Sequence, residues 1–168
     1  LLQPGGSVLD VACGGGRHAS WLAERGHAVT AVDRDLSGVA DLSGSVSLVQ
    51  ADIENATWPL LFNGTPIPFN AVVVTNYLWR PLLPTLVASV APGGVLLYET
   101  FAQGNETVGR PARPEFLLRQ GELLQMCQGL HVVAFEDGYL DAPPRYVQRI
   151  VAARAYAATR TTPALYTL

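Results

Sequence analysis

The chain of 168 residues contains no lysine, so its side-chain cations at neutral pH are arginines. A Tyr-x-x-x-Lys reductase pair is therefore excluded. Charged residues make up only 15% of the chain and the net charge is −3, which argues against a polyanion-binding surface and for a small or neutral ligand. Nucleic acid is accordingly not expected as a partner. Cys13 and Cys127 stand far apart, with no CxxC spacing and no Cys/His cluster, so neither a disulfide framework nor a metal site is expected. No apolar run approaches the roughly 20 residues of a membrane span, and no basic segment precedes a signal-type apolar core. The expectation is a cytoplasmic chain without a membrane partner. Internal repeats, low-complexity tracts and linkers are absent as well.

What the chain does have is apolar residues, at 49%, in a length suited to one domain. Such a chain buries roughly 70% of its extended surface, enough for a three-layer core. The richest stretch is Val8 to Asp35, VLDVACGGGRHASWLAERGHAVTAVDRD. Val8, Leu9, Val11 and Ala12 form the short apolar run of a strand buried on both faces, and Gly14 to Gly16 let the backbone turn sharply against a ligand. From Arg17 the spacing turns helical through Ala19, Leu22 and Ala23 until Gly26 stops it, and Ala28 to Val32 form the next buried strand. Strand, glycine turn, helix and strand make a βαβ unit with parallel strands and a right-handed crossover. Asp33, at the tip of the second strand, stands where a carboxylate accepts the hydroxyl protons of a ribose.

Two cofactor classes use such a cradle. Gly14, Gly16 and Ala19 satisfy the G-x-G-x-x-[GA] spacing of dinucleotide sites, which keeps a nicotinamide or flavin open. Asp10 points the other way, because a carboxylate before the glycines is unhelpful beside a pyrophosphate and well suited to an ammonium or sulfonium ligand.

Further strands are expected at Val46–Gln50, ending near Asp52, at Ala71–Thr75, ending at Asn76 and Tyr77, and at Gly94–Thr100. Glu54 to Asn70, rich in Pro, Gly and Asn, reads mainly as loop, and Leu82–Val90 and Glu115–Cys127 read as helices. Gln103–Pro114 is long enough to be a lid or substrate loop. His131–Glu136 and Tyr146–Ala155 read as β runs joined through Asp137–Pro144. The expected domain is 1–158, with a C-terminal tail over 159–168.

The DVACGGG turn, Asp33, the ADI of Ala51 to Ile53 and the APGGVLLYE of Ala91 to Glu99 occur in an order and spacing that resembles class I S-adenosylmethionine-dependent methyltransferases. The resemblance covers essentially the whole chain. The TNYLWRPLL and GRPARPEFLLRQGELL segments are most similar to small bacterial methyltransferase-domain, tellurite-resistance-like proteins. One departure is Ala12, which stands where that family usually has its first glycine. The resemblance implies a Rossmann-like three-layer α/β sandwich, its mostly parallel seven-stranded sheet closed by an antiparallel C-terminal hairpin strand. It also implies an N-terminal helix or arm over the cofactor, whereas this sequence opens at Leu1, a few residues before the first strand.

In an open α/β sheet ligands lie beyond the carboxyl ends of the strands. That rule collects Asp10, Ala12, Cys13, Gly14 and Gly16 from the glycine turn, Asp33 and Arg34 from the second strand, and Thr75 and Asn76 from the fourth. The resemblance adds Asp52 and Ile53 as adenine contacts, one an acceptor for the exocyclic amine and the other an apolar wall. Arg17 is a candidate for the cofactor carboxylate, or a plain exposed helix-start residue, and Asp52 has a turn or helix-cap role as its alternative. Tyr77 and Arg80 are the catalytic candidates, shaping the acceptor pocket. Their alternative is aromatic packing with Arg80 at the surface. Glu99, Arg110 and Arg113 are further pocket candidates. DNA amino-methyltransferases carry two prolines after the Asn of this strand end, and none follow Asn76 directly. The expected activity is transfer of a methyl group from S-adenosylmethionine to a small-molecule acceptor by in-line displacement, without metal. A noncatalytic S-adenosylmethionine-binding module and a nicotinamide-dependent oxidoreductase are the rivals.

Overall fold

Val8, Leu9 and Val11 are wholly buried and Asp10 nearly so, which marks β1 (Ser7–Val11) as a strand covered on both faces. The computed structural model describes residues 2–156, so the expected boundary at 158/159 and the tail beyond it lie outside the described residues. After β1 come α1 (Arg17–Ala23), β2 (Ala28–Asp33) and β3 (Val46–Gln50), with a 3-10 segment over Ser37–Gly44 before β3. A small hairpin of β4 (Leu61–Phe62) and β5 (Thr65–Pro66) leads to β6 (Phe69–Thr75). Then follow α2 (Leu83–Ala88), β7 (Val90–Phe101), α3 (Glu122–Met126), β8 (His131–Asp141) and β9 (Pro144–Ala153).

The strands build a seven-stranded sheet in the order β3-β2-β1-β6-β7-β9-β8. Neighbours are parallel from β3 to β7, and β9 is antiparallel to both β7 and β8. The expected Rossmann-like sandwich and its closing hairpin are both present. Alternate residues of β1 serve two cores. Leu9 and Val11 join Val32, Val72, Val74, Leu96 and Ile150 under Leu86 of α2 and Leu123 of α3. Val8 packs with Val29, Ala31 and Val73 against Ala19 and Leu22 of α1. Among the described residues no helix is long and apolar enough to cross a membrane.

The largest departure from expectation is the helix over 115–127. Only Glu122–Met126 is α-helical, after a 3-10 turn at Pro114–Phe116. Leu117 and Leu118 run extended between them and are buried. Leu118 bonds to the end of β7 instead of to its own helix: its N–H donates to Phe101 at 2.9 Å, and its carbonyl accepts from Gln103 at 2.9 Å. The helix expected over 82–90 is likewise shortened to α2, because Val90 already belongs to β7, where it pairs with Phe69. Within the expected 54–70 loop, Asn63 and Gly64 take φ of 50° and 76° and turn the β4–β5 hairpin. The hairpin β8–β9 also extends further than expected, to Asp141 and Pro144.

Candidate active site

The strand order reverses at β1, which lies between β2 and β6, so a crevice opens beyond Val11, Val32 and Val74. The glycine turn fills its floor. Ala12, at φ 53°, sends the chain out of β1, and the Gly16 N–H closes the turn on the Cys13 carbonyl at 2.9 Å. A Cβ on Gly14 or Gly15 would meet nothing within 4 Å, so this backbone is open to a ligand. Gly16 has a different task. There a Cβ would come 2.5 Å from Val39 Cγ1 and 2.9 Å from Leu42 Cδ1, so its bareness lets the turn pack on the 3-10 segment. The Gly14 N–H donates to Asp33 Oδ2 at 2.9 Å and the Asp35 N–H to Asp33 Oδ1 at 3.1 Å. Each carboxylate oxygen keeps accepting capacity for a further donor.

Under the turn lies Asp10, 1% exposed, with Oδ2 lacking any hydrogen-bond partner. Burial pushes its carboxyl up to about 6, against the Ala19 amide and Arg17, which pull it down, and with Asp33 adding repulsion. A buried, partly orphaned carboxylate is costly and is relieved by a cationic group. Burial, then Asp10 and Asp33, also push the Cys13 thiol up to about 11, which leaves it an inert wall of the turn.

A cavity of about 370 Å³ collects Ala12, Asp33, Arg34, Asp52, Ile53 and Tyr77 from the expected residues and adds Ala51, Glu54 and Phe116. Its charged lining is three carboxylates against one guanidinium. Asp52 does turn work too. It accepts from Asn55 Nδ2 at 2.9 Å and from the Glu54 and Asn55 amides at 3.1 Å, and these bonds, the Asn55 side chain first, hold its carboxyl below the usual range. A second cavity of about 280 Å³ adjoins the first, sharing Glu54, Tyr77 and Phe116 and adding Asn76, Leu78, Thr100, Phe101 and Pro111. Tyr77 is anchored through its carbonyl, which accepts from the buried Tyr98 hydroxyl at 2.8 Å. Its own hydroxyl is buried without a well-formed hydrogen bond, and burial, then the Glu54 carboxylate, hold it far above the ordinary phenol range.

Arg80 requires correction as a residue that orients an acceptor. Its guanidinium is spent on the protein: Nε and Nη2 grip Glu122 at 2.7 and 2.9 Å, and Nη1 and Nη2 donate to the Glu115 and Leu117 carbonyls at 2.8 Å. Those carbonyls flank Phe116, so Arg80 positions the aromatic ring shared by both cavities. Glu99 is also displaced from the expected pocket. It faces the α1 side of the sheet, in a separate cleft with His18 and Thr75, and pairs with Arg149 at 3.6 Å. Thr75 Oγ1 lies 3.4 Å from His18 Nδ1 in that cleft rather than lining the first cavity. Arg113 is exposed, paired with Glu115 at 2.9 Å and stacked on Phe116 at 4.7 Å. Arg17 and Arg110 are exposed and line neither cavity.

A family model described as "Methyltransferase domain" matches residues 8–94, from β1 into the start of β7. The chain belongs to this methyltransferase-domain family. The domain is 35% identical over 103 residues to the ubiquinone biosynthesis O-methyltransferase of Xylella fastidiosa, covering 57% of this chain and 42% of that protein. It is 34% identical over 111 residues to the malonyl-[acyl-carrier protein] O-methyltransferase of Serratia marcescens, covering 61% and 41%. The chain thus spans about two fifths of the length of these curated relatives. In fold the domain resembles TehB from Haemophilus influenzae, with a TM-score of 0.68 at 20% identity over 89% of this chain and 57% of that one. The methyltransferase domain's site contains two residues that sequence reasoning missed. Glu54 directly follows the ADI motif and was legible as its neighbour. Phe116 had no local signal, because it reads as part of a helix.

Proposed function

We propose that this methyltransferase domain binds S-adenosylmethionine across the glycine turn and the first cavity, and transfers its methyl group to a small-molecule acceptor in the second. The observation that carries this reading is Asp10, whose buried orphan oxygen under an open glycine turn calls for a cation. Asp33 would accept the ribose hydroxyls, Ile53 would wall the adenine and Asp52 would face its amine. When bound, the cofactor supplies a methyl group already activated on a sulfonium. The chain's own contribution is placement: Tyr77, anchored by Tyr98, and Phe116, held by Arg80, line both cavities and hold them side by side. The names of the curated relatives, both O-methyltransferases, favour an oxygen acceptor. The two unpaired cysteines accord with a reducing, cytoplasmic setting.

Titration calorimetry with S-adenosylmethionine, S-adenosylhomocysteine and NAD tests the cofactor. Both adenosyl ligands should bind and NAD should not, and Asp33→Ala should weaken adenosyl binding by roughly ten- to a hundredfold in a folded protein. Tight NAD binding with no heat from the adenosyl ligands overturns the reading. Methyl transfer to a panel of small hydroxyl acceptors separates an enzyme from a binding module.

A further inference from the structure

The second cavity is lined mainly by Tyr77, Leu78, Phe101, Pro111 and Phe116, with Asn76 and Thr100 as uncharged polar residues and Glu54 as its one charged group. Glu54 forms none of the ion pairs among the described residues. Of the arginines around it, Arg80 is committed to Glu122 and Arg113 to Glu115, Arg110 lies outside the lining, and Arg34, which shares the first cavity with Glu54, forms no ion pair with it. The polar groups at the junction with the cofactor cavity are therefore a carboxylate and a phenol hydroxyl that lacks a well-formed hydrogen bond. A carboxylate can only accept hydrogen bonds, and a second anion beside it would be repelled.

We infer that this cavity is an acceptor subsite for a ring-sized apolar molecule whose reactive head donates a hydrogen bond, a hydroxyl or an ammonium, and that Glu54 selects that head and rejects carboxylates. Its role as an acceptor subsite rests on the methyl-transfer reading; its preference for a donor head rests on the lining alone. A volume of about 280 Å³ admits a single six-membered ring with a short substituent. Tyr77 and Phe116 supply faces for stacking, and the buried Tyr77 hydroxyl lies beside Glu54.

The test uses three probes of one shape, benzyl alcohol, benzylammonium and benzoate, titrated by ligand-observed NMR with and without saturating S-adenosylhomocysteine. Benzylammonium and benzyl alcohol should bind, and benzoate should bind at least about tenfold more weakly than benzylammonium. Glu54→Gln should bring the benzylammonium-to-benzoate ratio close to one, and Phe116→Ala should weaken all the binders together. Benzoate binding as well as benzylammonium, a preference that survives Glu54→Gln, or no binding by any probe at millimolar concentration overturns the inference. If S-adenosylhomocysteine itself fails to bind while benzoate is still rejected through Glu54, the cavity's preference stands and the methyl-transfer reading falls.

Discussion

Replacing Arg80 by alanine should destabilise the domain measurably while leaving the sheet untouched. The side chains of Arg80 and Glu122 are only 29% and 14% exposed, and the pair is joined by two charge-assisted hydrogen bonds. Removing one partner of a fully buried pair costs roughly 3–5 kcal/mol, because the other charge is stranded. Discounting for the solvent that reaches this pair brings the expected loss to about 2–3 kcal/mol. For a domain of this size that lowers Tm by roughly 4–12 °C. Thermal melts followed by circular dichroism at pH 7 read it directly. Arg80→Lys should recover only part of the loss, since an ammonium cannot reproduce the planar fork. The double variant Arg80→Ala, Glu122→Ala should lose less than the two single variants added together. Acid supplies a further check. Burial pushes the Glu122 carboxyl up, but the Arg80 hydrogen bonds, the Arg119 amide and nearby guanidinium charge outweigh it and leave the group below its ordinary value. A depressed folded value means that stability is present in full above the ordinary glutamate range and fades as pH falls through the folded value. The gap between wild type and Arg80→Ala should therefore narrow below about pH 4. Released from Arg80, Phe116 should also leave the cavities less well closed, so the dissociation constant of S-adenosylhomocysteine should rise in the folded variant. A melt within about 2 °C of wild type at pH 7, corresponding to under about 1 kcal/mol, refutes the clamp.

Other consequences follow from single groups. Asp10 titrates at about 6 in the fold, above its value in the unfolded chain, so its ionisation destabilises the ligand-free protein as pH rises from about 4 to about 6. Asp10→Asn should accordingly raise Tm at pH 7.5, by on the order of 2 kcal/mol of stability, with little effect near pH 4; an unchanged or lower Tm at pH 7.5 contradicts the assignment. Adenosyl-ligand affinity of the wild type should increase through pH 6, as the ionised form becomes available to a cation, and lose that dependence in Asp10→Asn, which calorimetry at pH 5 and 7.5 checks. Ala12 carries a left-handed φ of 53°, a conformation that strains a residue with a Cβ. Ala12→Gly should stabilise the domain by about 0.5–1 kcal/mol, seen in denaturant titration, and a destabilised variant would show that the strain argument fails. Tyr77→Phe removes a buried hydroxyl that lacks a well-formed hydrogen bond, so Tm should hold or rise while acceptor KM changes; a clear drop in Tm would mean that the hydroxyl is satisfied in solution.

The β1–α1–β2 unit was legible in the amino-acid sequence because every determinant of it is local. An apolar run, three glycines and a carboxylate at the next strand tip specify a turn and a cradle whatever packs around them, and the structure places Gly14 and Asp33 in direct hydrogen-bond contact. The parallel pairing of β1 and β2 was likewise legible from the βαβ pattern, whereas the seven-stranded sheet and its antiparallel closing pair were expected from the family resemblance. What lay outside local reach was the segment after β7. Phe116, Leu117 and Leu118 fit a helical period as well as an extended one, and only the backbone of Phe101 and Gln103, bonded to Leu118, decides for the extended form. The same holds for charge. Arg80 next to Trp79 reads as a pocket arginine until Glu122, forty-two positions later, takes its guanidinium. Glu99 and Thr75, read at strand ends above the crevice, turn to the α1 side because β6 and β7 pair in a register that puts them there with His18. Local sequence was enough for the glycine turn and its Asp33 partner, whose contacts lie within one βαβ unit. Only the tertiary structure decided the second cavity, because its walls come from the loops after β3 and β6, the end of β7 and the segment before α3, and a side chain's partner across such distances is set by register and packing rather than by its neighbours in the chain.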